Sequence, residues 1–169
     1  MAQSRSDFFA VFLATGFYSG YSPFAPGTAG TFVAVLIMVG VSLLLPAAAV
    51  VPVFVALAIV TSLAGIPIAT RAEKVFGKKD AGAIVIDEFA GTFITLAAFP
   101  FAWRRDEIIL YTLGFFVFRG LDVLKPFGIA SLQRIKGGLG VMIDDIAAGI
   151  LGLGLLLGFK FFILPRLPF

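Results

Sequence analysis

The chain contains no cysteine and no histidine among its 169 residues. Their absence excludes disulfides, zinc sites built from Cys or His, phosphocysteine and phosphohistidine intermediates, and imidazole acid–base chemistry. Any catalysis must therefore use carboxylates, lysine, arginine, hydroxyl groups or metal-bound water.

Charged residues are also scarce, since Asp, Glu, Lys and Arg make up 14% of the chain and none occurs from Phe8 to Thr70. Hydrophobic residues make up 60%, and the mean hydropathy is +1.06, whereas ordinary soluble domains are about 45 to 50% apolar. This composition predicts a membrane protein embedded in the bilayer. The net charge of +3 is modest and the basic residues form no stripe interleaved with aromatics, so no nucleic-acid partner is expected.

The hydropathy pattern predicts an all-α fold, a polytopic transmembrane helical bundle with about five apolar helices. The apolar segments cover residues 29 to 45, 49 to 70, 84 to 102, 107 to 124 and 139 to 163. Short interfacial helices are expected at residues 4 to 15 and in the amphipathic stretch 126 to 135. We interpret residues 1–169 as a single membrane-embedded domain. Because Asp7 interrupts the N-terminal apolar stretch, a cleaved signal peptide is not expected.

The distribution of Lys and Arg beside these segments predicts a cytoplasmic N-terminus. With that orientation the interior side holds the larger set of basic residues, namely Arg5, Arg71, Lys74, Lys78, Lys79, Arg119, Lys125, Arg134 and Lys136. The exterior side holds Arg104, Arg105, Lys160 and Arg166. The same topology places every polar motif described below on the cytoplasmic face.

Two acidic pairs, Asp87-Glu88 and Asp144-Asp145, each follow an apolar run. A carboxylate moved out of water without a partner costs several kcal/mol, so such groups persist in apolar surroundings only beside a cation, a proton or hydrogen-bond donors. A divalent metal is the simplest common partner for the four. For Asp87 and Glu88 an alternative is an acidic first turn that complements the helix dipole.

A stripe of alternating charge occurs at the end of the fourth apolar segment. Arg119, Asp122 and Lys125 recur every three residues, which places them along one side of a helix end. The two cations are suited to binding phosphate oxygens. The alternative is a helix-terminal salt bridge, with the Lys125 side chain reaching to the membrane interface.

Two glycine-rich stretches each lead into an apolar helix. Residues 16 to 31 are rich in Gly, Pro and hydroxyls, and Thr28 and Thr31 are candidates for holding a phosphate at the helix N-terminus. The alternative there is a turn with Pro26 at the first helical position. The second stretch begins at Lys136-Gly137-Gly138 and leads to Asp144-Asp145.

Four motifs in this order resemble the phosphatidylglycerophosphatase A family of bacterial membrane lipid phosphatases. They are SPFAPGT at 22–28, IVIDE at 84–88, FRGLDVLKP at 118–126 and GGLGVMIDD at 137–145, and the likeness runs from about Ala14 to Gly152. The resemblance implies a magnesium-dependent hydrolase of the bacterial cytoplasmic (inner) membrane, multi-pass, with its active site facing the cytoplasm. Its expected substrate is phosphatidylglycerophosphate, which would give phosphatidylglycerol and inorganic phosphate in phospholipid biosynthesis.

The resemblance also implies the site residues. The acidic set is Asp80, Asp87, Glu88, Asp122, Asp144 and Asp145, and the cationic companions are Arg119, Lys125 and Lys136. We expect Mg²⁺ to be held by some of Asp87, Glu88, Asp144 and Asp145. The expected substrate-binding residues are Thr28, Thr31, Lys136, Gly137 and Gly138.

Two routes are open for the catalytic step, namely attack by water and formation of an aspartyl phosphate. Asp122 or Asp80 is expected to act as the base in the first or as the nucleophile in the second, beside Arg119 and Lys125. Asp122-Val123-Leu124 lacks the second acid of the DxD opening of haloacid-dehalogenase phosphatases, which favours attack by water over an aspartyl-phosphate intermediate.

Two further possibilities follow from the residues. A small membrane transporter or ion pathway with intramembrane carboxylates is the alternative function. The small residues Gly149, Gly152 and Gly154 suit either internal helix packing or a homo-oligomer.

Overall fold

The structure is a computed structural model that describes residues 4–126, 129 and 135–167. These residues form six α-helices and no strand, which confirms the all-α prediction for the described part of the chain. The helices are α1 (Arg5–Ala14), α2 (Pro26–Leu44), α3 (Ala47–Phe76), α4 (Ile86–Leu96), α5 (Arg105–Leu124) and α6 (Gly138–Gly158). After α6 the chain continues through a π turn, Phe159–Ile163, and a 3₁₀ turn, Leu164–Arg166.

Three helices are long and apolar enough to cross a membrane. They are α2, α3 and α6 with its continuation to Arg166. The chain is therefore a membrane protein by the character of these helices. Among the described residues, no other helix is both long enough and apolar enough, so the prediction of about five apolar helices is not confirmed. The fourth predicted segment, 107 to 124, does form α5, but this helix has charged residues near both ends.

The third predicted segment, 84 to 102, does not form a membrane-length helix. Its helix, α4, has 11 residues and so spans only about 16 Å, whereas the hydrocarbon core is about 30 Å thick. Almost every α4 side chain is buried in the protein, where α4 packs against α2, α3, α5 and α6. A helix whose side chains are buried on nearly all sides belongs to the protein interior. The prediction was wrong here because the apolar residues contact other helices instead of lipid.

The N-terminal segment forms α1, as expected for residues 4 to 15. Ser4 caps it, accepting a hydrogen bond from the Ser6 N–H, and the Asp7 carboxylate accepts one from the Ser4 N–H at 3.2 Å. Asp7 also pairs with Arg71 of α3 at 2.8 Å, which fastens α1 to the bundle. Its interfacial position remains a prediction. Most of the predicted stretch 126 to 135 lies outside the described residues.

Five helix ends meet at one end of the bundle, where α2, α4 and α6 begin and α3 and α5 end. Close approach depends on small residues. A Cβ atom at Gly149 of α6 would lie 2.6 Å from the Gly91 carbonyl oxygen of α4, and one at Gly152 would lie 2.9 Å from Thr95 Oγ1. These two glycines therefore serve internal packing. Gly154 has open space beside it.

Candidate active site

Three carboxylates converge at this end of the bundle. Asp87 and Glu88 are in the first turn of α4 and Asp145 is in the second turn of α6. One carboxylate oxygen from each lies within 4.8 Å of the other two. Asp87 and Asp145 are only 9% and 2% exposed. Within the described part of the chain, one oxygen of each of the three carboxylates is buried without a hydrogen-bond partner. Such a set is suited to a bound cation.

The predicted charge stripe on α5 is present and faces this acidic cluster. Arg119 Nη1 lies 2.7 Å from Asp122 Oδ2 and 3.6 Å from Glu88 Oε1. Lys125 Nζ lies 3.8 Å from Asp122 Oδ1 and directly contacts Asp144. The stripe is thus a salt-bridge network at the end of α5. Its two cations, Arg119 and Lys125, also form a cationic wall beside the carboxylates.

The conformation of Lys125 helps to direct its side chain. Lys125 is the C-cap of α5 and has a left-handed backbone with φ 44°, an unusual conformation for a residue with a side chain. Strained backbone of this kind is concentrated at functional sites, where surrounding contacts hold it. Here the contact is the ion pair with the buried Asp144 carboxylate of α6.

The acidic pair on α6 divides between two partners. Consecutive helical residues point about 100° apart. Asp145 therefore joins Asp87 and Glu88, while Asp144 pairs with Lys125. The structure brings three of the four expected metal ligands together. The fourth, Asp144, retains a buried oxygen with no hydrogen-bond partner among the described residues, and its role as a ligand stays a prediction.

Asp80 lies in the connection from α3 to α4, outside the helices. Its backbone is left-handed, with φ 49°, and its N–H donates to Glu73 Oε1 at 2.8 Å. Although the residue is exposed at the surface, enclosure by neighbouring atoms and the negative charge of Asp144 raise the pKa of the Asp80 carboxyl above its usual range. Asp80 is thus close enough to the charged network to respond to it.

The expected phosphate-binding threonines are in the first two turns of α2, which begins at Pro26, as the alternative interpretation of this stretch predicted. Thr31 is buried, and its hydroxyl donates to the Gly27 carbonyl oxygen at 3.0 Å. Gly27 itself was not predicted as a site residue. A Cβ atom there would lie 2.1 Å from Glu88 Oε1 and 3.1 Å from Arg119 Nη1. Its small size lets the N-terminus of α2 contact the ion pairs.

The second glycine-rich stretch packs on α3. Gly137 has φ 73° and caps α6, and the Gly138 N–H donates to Thr70 Oγ1 at 2.8 Å. A Cβ atom at Gly138 would lie 2.0 Å from the Ile66 carbonyl oxygen. These glycines allow close packing at the start of α6, while Lys136 is exposed beside them. Whether they contact substrate stays a prediction.

Two threonines of this region were missed by sequence reasoning. Thr70 anchors the start of α6, as described above. Thr92 is one turn after Glu88 on α4, and its buried Oγ1 has no hydrogen-bond partner among the described residues. In the sequence, Thr92 could be noticed only as a hydroxyl inside an apolar run. This pattern does not identify a functional residue, because many such threonines only donate to the carbonyl one turn back, as Thr95 does to Gly91 at 2.8 Å.

Comparisons with known proteins agree on one family. The family model described as phosphatidylglycerophosphatase A matches residues 12–160. Proteins named phosphatidylglycerophosphatase A from Escherichia coli and Haemophilus influenzae are 37% and 38% identical to this chain. These matches cover 85% and 82% of this chain and 79% and 80% of those proteins.

A third relative carries a different name. A Bacteroides thetaiotaomicron protein, provisionally named phosphatidylinositol-3-phosphatase, is 40% identical over 86% of this chain and 90% of its own length. No solved structure matches the chain. The family match covers all four motifs and every expected site residue. The chain therefore belongs to the phosphatidylglycerophosphatase A family of phosphatases.

Proposed function

We propose that this protein hydrolyses the terminal phosphate monoester of phosphatidylglycerophosphate, giving phosphatidylglycerol and inorganic phosphate in phospholipid biosynthesis. The observation that carries the proposal is the buried cluster of Asp87, Glu88 and Asp145 beside Arg119, at one end of a bundle of apolar helices. A phosphate-monoester hydrolase needs positive charge to balance the oxygen charge of the transition state. An apolar bundle suits a substrate whose acyl chains stay in the bilayer.

We infer that Asp87, Glu88 and Asp145 hold magnesium. Their buried oxygens without partners fit a hard cation, because Mg²⁺ prefers oxygen ligands and keeps several waters. Three carboxylates so close together in the protein interior would otherwise repel one another. When bound there, magnesium would supply charge neutralisation for the phosphate and acidify a bound water.

Arg119 and Lys125 are the groups proposed to bind the phosphate. Asp122 forms ion pairs with Arg119, at 2.7 Å, and with Lys125, at 3.8 Å, so it orients both cations. The planar guanidinium of Arg119 offers a two-pronged fork to phosphate oxygens, and Lys125 adds a point charge. Gly27 lies beside Arg119, so the N-terminus of α2 is near the same position, which supports the proposed role of Thr28.

Water is the proposed nucleophile. It attacks phosphorus as the bond between phosphorus and the lipid oxygen breaks. The proton of the water passes to a base, and the leaving lipid oxygen takes up a proton to become the alcohol of phosphatidylglycerol. Asp122 is held in two ion pairs with cations and so is suited to positioning them, whereas Asp80 lies at the edge of the charged network, where enclosure by neighbouring atoms and the charge of Asp144 raise the pKa of its carboxyl. We assign the base role to Asp80 and a positioning role to Asp122.

The proposed location is the bacterial cytoplasmic membrane, with several membrane passes and the site on the cytoplasmic side. The supporting observations are three membrane-length helices and the excess of Lys and Arg on the site side of the predicted topology. The alternative function, a small transporter or ion pathway, has no support from the family, whose named members are phosphatases.

A second candidate substrate is phosphatidylinositol 3-phosphate, which the name of the Bacteroides relative favours. Both lipids present a phosphate monoester on a diacyl anchor. The test is phosphate release by purified protein in lipid, with each substrate offered separately and together. We expect the larger kcat/KM for phosphatidylglycerophosphate. A larger value for the inositol lipid would replace the proposed substrate, and no release from either, with solute flux through vesicles, would contradict the phosphatase proposal.

A further inference from the structure

An apolar groove runs along the outer surface of the bundle between α2 and α5. Its volume is ≈ 390 Å³. Phe32, Val35 and Val39 form the α2 wall. Ile108, Thr112 and Phe116 form the α5 wall. The Tyr111 hydroxyl, which also lines it, donates to the Phe99 carbonyl oxygen at 3.0 Å and so is already satisfied. The groove thus offers apolar contact and little hydrogen bonding.

One end of this groove lies beside the candidate active site. On α5, Phe116 precedes Arg119 by three residues, and on α2, Phe32 follows Thr28 by four, so each lies one turn from a site residue on the same helix face. The two helices also meet at the site, where Gly27 abuts Arg119. The apolar groove therefore begins about one helical turn from the cationic wall of the site.

The groove follows α5 over a length that suits a segment of an acyl chain. Its α5 wall runs from Ile108 to Phe116, eight residues or about 12 Å. Because α2 is one of the membrane-length helices, the groove follows the direction in which an acyl chain would extend from a headgroup held at Arg119.

We propose that the groove between α2 and α5 holds one acyl chain of the phosphorylated lipid substrate. This inference rests on the proposed function and adds a specificity site to it. An apolar groove that begins about one helical turn from a cationic site matches a lipid that has an anionic head and an apolar tail. Its lining, with Phe32, Phe116 and Thr112 open to the surroundings, lets a chain enter sideways from the bilayer.

The first test fills the groove and measures chain-length preference. Thr112 is exposed, so Thr112→Phe should fold normally while it narrows the groove. Phosphate release in detergent micelles is measured for two substrates, with acyl chains of about sixteen and about eight carbons. We expect the wild-type preference in kcat/KM for the long chain to fall at least about fivefold, with the short-chain rate unchanged. Val39→Phe, on the opposite wall, should act alike.

The matched control is Leu36→Phe, which adds an aromatic ring on α2 at an exposed position that does not line the groove. It should keep the wild-type preference. An unchanged preference in both groove variants would overturn the inference. A change in oligomeric state in Thr112→Phe without a change in preference would also overturn it, because the groove would then be a contact between copies of the chain.

A second test measures binding without turnover. Trp103, the single tryptophan of the chain, lines the far end of the groove. In the wild-type protein, a non-hydrolysable phosphonate analogue of phosphatidylglycerophosphate with brominated acyl chains should quench its fluorescence more than brominated phosphatidylcholine at equal mole fraction. Thr112→Phe should remove the excess, and equal quenching by the two lipids would contradict the inference. Because this signal needs no hydrolysis, it separates failure of the groove from failure of the proposed reaction.

Discussion

The two ends of α5 carry the same type of ion pair in different surroundings. Arg104 and Glu107 are three residues apart with a contact of 2.7 Å, and so are Arg119 and Asp122. At the first end the arginine side chain is 76% exposed, whereas at the second it is 18% exposed. Solvent screens the first pair, so it contributes little. Enclosed charges interact more strongly. Among the described residues, only the second end adjoins carboxylates that have a buried oxygen without a hydrogen-bond partner.

The largest effect is expected from removing the central carboxylate. Asp145→Asn should lower kcat/KM by at least about a thousandfold, because it removes a proposed metal ligand. Asp106→Asn, at the exposed end of α5, is the control and should retain the wild-type rate. Without magnesium, the thermal midpoint of Asp145→Asn should be kept or raised, since one of three crowded negative charges is gone. Phosphate release and thermal unfolding in the same detergent measure both.

The second prediction concerns the guanidinium of the enclosed Arg119, which can donate two parallel hydrogen bonds to a phosphate. Arg119→Lys keeps the positive charge but loses the second prong, so we expect a loss of about a hundredfold in kcat. The same change at the other end, Arg104→Lys, should leave kcat within about twofold. Equal small effects at both ends would show that burial does not distinguish the two pairs.

A smaller effect is expected from the glycine that touches the enclosed pair. Gly27→Ala places a methyl group against Glu88 and Arg119, so they must shift, and we expect a loss of about tenfold to thirtyfold in kcat/KM. Gly40→Ala is the control on the same helix, because nothing lies within 4 Å of its added Cβ. It should keep full activity and be slightly stabilised, since alanine favours a helix more than glycine does.

The smallest expected effect concerns the base. A raised pKa means that Asp80 keeps its proton at a higher pH than an ordinary aspartate, so a base at this position loses activity as the pH falls through that raised value. Asp80→Asn should lower kcat about tenfold and remove this acidic limb from a profile measured from about pH 4 to about pH 9. If kcat of the variant still fell at acidic pH as it does in the wild type, the base would be a group other than Asp80.

Sequence patterns predicted the parts of the fold that depend on local apolarity. The boundaries of α2 and α6 and the stripe of Arg119, Asp122 and Lys125 follow from hydropathy and helical spacing. The short α4 was missed because apolar side chains look alike whether they contact lipid or protein. A window of hydropathy does not show that four other helices surround this one.

The site was predicted as a set of residues but not as an arrangement. Four motifs named the acids and cations that meet at one end of the bundle. The division of Asp144 and Asp145 between different partners, and the contact of Gly27 with Glu88, depend on how distant helices pack. Those contacts join residues far apart in the chain, and no local pattern contains them.

The central claim is that carboxylates of α4 and α6 together hold a cation that binds the phosphate. Its most direct test is phosphate release from phosphatidylglycerophosphate during a magnesium titration after chelation, in wild-type protein, Asp145→Asn and Asp106→Asn. We predict that chelation abolishes activity in the wild type and in Asp106→Asn, that magnesium restores it in both, and that Asp145→Asn stays inactive. An undiminished rate in excess chelator, or full activity of Asp145→Asn, would contradict the account.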